Sequence, residues 1–112
     1  MVNFRQLEQK IHDTGRIIGL IRDRNINNDK DIAWICYSEI DELQRTQEEL
    51  KPLIDSLDDY TDRMVLSLRY LKGYSCIWVA DKMLICRASV YYHINSGKQK
   101  LLEKYPDRIE LE

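Results

Sequence analysis

Apolar side chains recur along this chain at helical intervals and never in the alternating run of a half-buried strand. Phe4, Leu7, Ile11, Ile18 and Ile21 follow three-four spacing, with Thr14 in the vacant place, so a helix is expected over residues 3–24. The stretch Asn25-Ile-Asn-Asn-Asp-Lys-Asp31 is expected to be a loop, because Asn and Asp favour turns and caps. A second helix should begin near Ile32. Its stripe is Cys36, Ile40, Leu43, Gln47, Leu50, Ile54 and Leu57, the strict four-three alternation of a coiled coil. Pro52 interrupts it by removing one backbone hydrogen bond and crowding the preceding turn. The helix is therefore expected to kink there, or to restart with Pro52 in its first turn. Thr61, after Asp58 and Asp59, is the expected cap of a third helix, Asp62 to Leu71.

Beyond it the pattern tightens. Gly73 is placed to stop the third helix, since glycine takes the left-handed conformation at no steric cost. Ser75 stands where an N-cap belongs, ahead of the short apolar face Val79, Ala80 and Met83. Ile85 fills the following turn, and Cys86 or Ser89 opens the last helix. There Val90, Ile94, Gly97 and Leu101 recur at steps of four, three and four, marking the buried face. Arg87, Ser89, Tyr91, Tyr92, Asn95, Lys98 and Gln99 fall away from it. Two helices with this turn between them have the spacing of a helix-turn-helix, which lays its second helix in the DNA major groove.

The expected fold is thus all-α: a helical hairpin or coiled-coil-like segment over residues 1–59, a helix-turn-helix over 60–106, and a tail over 107–112. At 112 residues, 44% of them hydrophobic and 32% charged, the chain suits one compact helical domain or one domain plus an extension. The heptad stripe admits three uses. It can close a hairpin within the chain, pair residues 32–57 between two chains in a homodimer, or bind another protein. Trp34 and Tyr37 lie off the stripe, as anchors for a partner or as a second packing face.

Composition removes several classes. The longest apolar run, Ile32 to Tyr37, is six residues, far short of the roughly 18 a membrane helix needs. The first residues lack the apolar core of a secretion signal. The 3 cysteines, Cys36, Cys76 and Cys86, are odd in number and widely spaced, as for reduced thiols in a cytoplasm. With only His12 and His93, and no paired Cys or His spacing, no metal or cofactor site is expected. No phosphate loop and no nucleophile–base pair is visible, so no catalytic residue is assigned. Asp58 and Asp59 read as a capping turn, and His93 as a surface or DNA-facing residue.

The net charge of −2 looks wrong for a DNA-binding protein until the chain is divided. Residues 1–60 hold 8 Lys and Arg against 13 Asp and Glu, a balance of −5; residues 61–112 hold 9 against 6, a balance of +3. Between Lys82 and Lys104 five basic residues face Glu103 alone. Positive charge gathers on the second helix of the motif, where phosphate contacts would form. Arg87 can grip guanine with two parallel hydrogen bonds, Asn95 can pair with adenine, and Ala88 can touch a thymine methyl. Tyr91 and Tyr92 suit phosphates through their hydroxyls, as do Lys98 and Lys100 through their charge. Ser89 and Gln99 complete the expected DNA-binding set.

Residues 60 to 104 resemble region 4 of bacterial sigma factors, the part that reads the promoter −35 element. The resemblance is carried by Met64-Val-Leu-Ser-Leu-Arg-Tyr-Leu-Lys-Gly-Tyr-Ser75, by Val79-Ala80, by Ser89-Val90 and by Lys98-Gln-Lys-Leu-Leu102. The Leu68-to-Ser75 run is most similar to small sigma-like late transcription regulators of phages of Gram-positive hosts. Leu84 stands where that family usually has Gly, Trp78 replaces a common Glu, and the recognition helix carries fewer arginines. The resemblance implies a transcription regulator, of phage or mobile-element origin, that binds double-stranded DNA and touches host RNA polymerase. Two other readings stand beside it: a small-terminase-like DNA-packaging adaptor, and a helical protein-interaction module without DNA binding.

Overall fold

A computed structural model describes the backbone of residues 1–24 and 30–110, and the side chains of residues 1–15 and 37–110. The fold is all-α, with five α-helices among the described residues. They are α1 (Phe4–Arg24), α2 (Lys30–Asp55), α3 (Tyr60–Leu66), α4 (Cys76–Met83) and α5 (Arg87–Lys104). The two strands, β1 (Val2–Asn3) and β2 (Ile109–Glu110), are two residues each and pair in parallel, Val2 with Ile109. None of the helices among the described residues is long and apolar enough to cross a membrane.

The first stripe is buried as its period requires. Phe4, Leu7 and Thr14 are inaccessible, and Ile11 packs at the edge of the core. The side chains of Ile18, Ile21, Trp34 and Cys36, and the expected Asn25–Asp31 loop up to Asp29, lie outside what the structure describes. α2 starts at Lys30, two residues before the expected Ile32. It also runs through Pro52 to Asp55, and does not restart there. Pro52 sits in the last turn, so the bond it cannot make, to the Glu48 carbonyl, is one of the last in the helix.

From Leu43 onward the heptad stripe is filled by the chain itself. Leu43, Leu50, Ile54 and Leu57 belong to one core shared with α1, α3, α4 and α5. Gln47, the polar member of the stripe, donates its side-chain amide to the Tyr70 carbonyl at 2.9 Å. That carbonyl lies in Ser67–Leu71, where α3 widens into a π-helical turn. π-Turns shift the backbone hydrogen-bond register, and Gln47 supplies a donor from the neighbouring helix.

Two expectations at the junctions change. The cap of α3 is Asp59 rather than Thr61: its carboxylate accepts from the Asp62 N–H at 2.9 Å, and the helix opens at Tyr60. Asp59 has the extended backbone an N-cap needs, φ −74° and ψ 116°. The expected tail is partly structured. Ile109 is 2% exposed, and the Val2 N–H donates to the Arg108 carbonyl at 2.7 Å, so β2 closes over the start of the chain. The two ends meet because each offers one buried β-branched residue to the same core.

Around the motif the local reading holds. Gly73 has φ +77°. Ser75 caps α4, its hydroxyl accepting from the Trp78 N–H at 3.2 Å. Leu84 closes α4 in the left-handed conformation, φ 56° and ψ 42°. The Ile85 N–H returns to the Ala80 carbonyl at 3.1 Å, the six-to-one bond of a Schellman ending. Ile85 then packs on the core, the hydrophobic contact that usually accompanies this ending. Leu84 itself is 91% exposed, so its side chain offsets little of the strain. Leu84→Gly is expected to raise stability by up to about 1 kcal/mol, the relief of left-handed strain less the entropy of a glycine in the unfolded chain. A urea titration checks this; a lower midpoint at an unchanged slope would show that Leu84 holds the turn by contact.

Candidate nucleic-acid interface

α5 packs against both α3 and α4. Val90, Ile94, Gly97 and Leu101 are all buried, as their spacing requires. Gly97 is needed for the approach, since a Cβ there would come within 2.6 Å of the Leu66 Cδ1. Leu66 is fully buried and has little room to move aside. Cys86 opens the helix with extended backbone, and its thiol lies 3.3 Å from the Ser89 hydroxyl. That hydrogen bond, with support from nearby backbone N–H groups, lowers the Cys86 pKa from the ordinary thiol value. Cys76, by contrast, is half-buried at the core edge.

With the buried face fixed, the rest of α5 divides into one outer ridge and two flanks. Ala88, Tyr92, Asn95 and Gln99 recur at steps of four, three and four, and all are exposed. Arg87 and Tyr91 are also exposed, at the side of the first turns, and Ser89 is half-buried. Beyond α5, Tyr74 and Trp78 stack with ring centroids 3.8 Å apart, and the Lys82 ammonium lies 5.8 Å from the centre of the Trp78 ring.

The flanks hold side chains that sequence reasoning placed elsewhere. On one, three residues of α5 converge on Asp62 of α3. His93 Nδ1 is 2.6 Å from its Oδ1; Ser96 Oγ and Lys100 Nζ are 3.1 and 2.6 Å from its Oδ2. Asp62 is 1% exposed. Burial pushes its pKa upward, but the bonds from Lys100, His93 and Ser96 outweigh that and hold it below the ordinary carboxylate value. The same bond holds Lys100 above the usual lysine value. His93 is therefore not a free surface residue: its ring is turned to the buried Asp62 and is 22% exposed. The signal available in the sequence was the spacing of His93, Ser96 and Lys100, which shares one side of a helix.

On the other flank Lys98 turns toward α1. Its ammonium is 3.5 Å from the Glu8 carboxylate and lies 5.2 and 5.3 Å from the ring centres of Phe4 and Tyr70. Tyr70 donates its hydroxyl to Glu8 and meets Phe4 edge-on, centroids 5.0 Å apart. Burial and the neighbouring Glu8 push the Tyr70 pKa well above its ordinary value. Lys98 and Lys100, expected at DNA phosphates, thus each sit in an ion pair within the chain. A phosphate can recruit them only in competition with Glu8 and Asp62.

Asp59, Asp62 and His93 also bring ligand-type atoms within 4.8 Å of one another. Both Asp62 oxygens are already engaged, one of them by an ammonium, and that positive charge opposes a cation at the same place. The cluster is built as a helix-to-helix ion pair.

Residues 35–103 match the family described as protein of unknown function (DUF1492), and the chain belongs to that family. The match covers α4, the turn and nearly all of α5, and begins after α1. No curated protein matches the chain. No solved structure matches it either.

Proposed function

We propose that this protein is a sequence-specific double-stranded DNA-binding transcription regulator that works through α5, in the manner of sigma region 4 and together with host RNA polymerase. One observation carries the reading. A short capped helix, a three-residue turn and a second helix pack through Val79, Ala80, Val90 and Ile94, and the outer side of that second helix is left exposed. A helix held this way and bare on its outer side has the form that enters a major groove. Support also comes from the side chains there, Arg87, Ala88, Tyr91, Tyr92 and Asn95, which are of the kinds that meet base edges and phosphates. Phage or mobile-element origin rests on the resemblance of the Leu68-to-Ser75 run.

The internal pairing of Lys98 and Lys100 bears on affinity. With those charges engaged, binding to random DNA should be weak, and its salt dependence shallower than five free cations would give. The direct test is fluorescence anisotropy with random and selected duplexes across a salt series, followed by capture of RNA polymerase from host extract. Arg87→Ala is expected to cost about 1–3 kcal/mol on the preferred site and to relax one base pair. Equal information at every position for both proteins would show that Arg87 reads no base.

A further inference from the structure

The composition of the α5 ridge bears on which base pairs it would read. Ala88, Tyr92, Asn95 and Gln99 share one exposed line opposite the buried face. At the α-helical rise, Ala88 to Gln99 spans about 16 Å, the length of about five stacked base pairs. None of the four carries a charge.

Guanine offers two acceptors to the major groove, and Arg or Lys is the side chain that grips both. On α5 the lysines are engaged within the chain. Lys98 pairs with Glu8 at 3.5 Å, Lys100 with Asp62 at 2.6 Å, and Lys104 donates to the Ser56 carbonyl at 3.0 Å. Arg87 is the exposed arginine, and it stands at the first residue of the helix. Adenine offers one acceptor and one donor, the complement of a carboxamide, which Asn95 and Gln99 both present. Thymine offers a methyl group, which suits Ala88 and the Tyr92 ring.

We propose that the ridge Ala88–Tyr92–Asn95–Gln99 reads a run of A·T pairs, with guanine selected only at the end that Arg87 reaches; this rests on the DNA-binding reading of α5 above. The two ion pairs thus do more than dock the helix. By holding Lys98 and Lys100 on the flanks, they keep guanine-gripping charge off the ridge.

The experiment is selection of bound duplexes from a random library, with full-length wild type, Asn95→Ala, Gln99→Ala and Arg87→Ala compared side by side. All three replaced residues are exposed, and melting curves confirm that each variant is folded. The expected wild-type motif holds four or five consecutive A·T pairs with a guanine at one end. Asn95→Ala should lose discrimination at one A·T pair by about 5- to 150-fold. Arg87→Ala should lose it at the guanine alone. A motif with G·C at the positions weakened by Asn95→Ala overturns the A·T assignment and leaves DNA binding standing. Motifs of equal information in wild type, Asn95→Ala and Gln99→Ala overturn it too. Failure to enrich any sequence, with no binding at low salt, overturns the DNA-binding reading itself and this inference with it.

Discussion

Val90→Asp is expected to abolish cooperative folding of the whole chain. Val90 is fully buried in the first turn of α5, on the face that meets α3 and α4. A carboxylate there has no partner supplied for it. It must either stay charged in an apolar setting or take up a proton at neutral pH, and either course costs several kcal/mol. The total stability of a domain this size is about 5–15 kcal/mol, so little or none is left. The loss should not be confined to the C-terminal half, because Val90 belongs to the same core as Phe4, Leu7 and Leu50. Tyr92→Asp is the matched control. It lies two residues away on the exposed ridge, 67% accessible, and should change stability by no more than about 0.5 kcal/mol. Thermal unfolding followed by circular dichroism separates the two, and equal melting temperatures would show that the faces of α5 have been exchanged.

What could be read from the sequence was what is decided locally. Phe4, Leu7 and Ile11, and later Val90, Ile94, Gly97 and Leu101, announce their faces by period alone, because burial on a helix repeats every 3.6 residues. Ser75 and Gly73 act on backbone groups within three residues of themselves, so their roles were legible too. Leu84 was harder, since nothing in a leucine signals a left-handed backbone; the surrounding turn imposes it. The β1–β2 pair was invisible because two residues make no alternating pattern. The contacts of the site were the least legible. Lys98 and Glu8 are 90 residues apart, and Asp62 and Lys100 are 38 apart. Periodicity assigns each residue to a side of its own helix but does not name the helix that packs there. A lysine on a flank reads the same whether it awaits a phosphate or already has a carboxylate. Asp62 reads in the sequence only as an acidic residue at the start of a helix, and its hydrogen-bond partners became visible once α5 was laid against α3.

Asp62→Ala should lower stability by about 2–4 kcal/mol, the upper part of the range for a single polar deletion. The carboxylate accepts from His93, Ser96 and Lys100 at once, and all three sit on α5, which α3 must hold in place. Its removal leaves a hydroxyl and an imidazole at a half-buried boundary with no acceptor. Lys100 suffers less, because its side chain is 46% exposed and can turn to water. The pH dependence follows from the direction of the shift. A carboxylate whose folded pKa lies below its unfolded value of 3.8 stabilises the fold above that value and loses its effect as pH falls through the lower one. Wild-type stability attributable to Asp62 should therefore be complete above about pH 5 and decline below about pH 4. Lys100, shifted upward, adds a smaller contribution that is present below its ordinary pKa and lost at strongly alkaline pH. Chemical denaturation of wild type and Asp62→Ala at a series of pH values tests both statements. The difference between the two proteins should shrink as acid protonates Asp62. A difference that stays the same down to pH 2 would mean that the carboxylate charge contributes nothing and that the loss is one of packing alone.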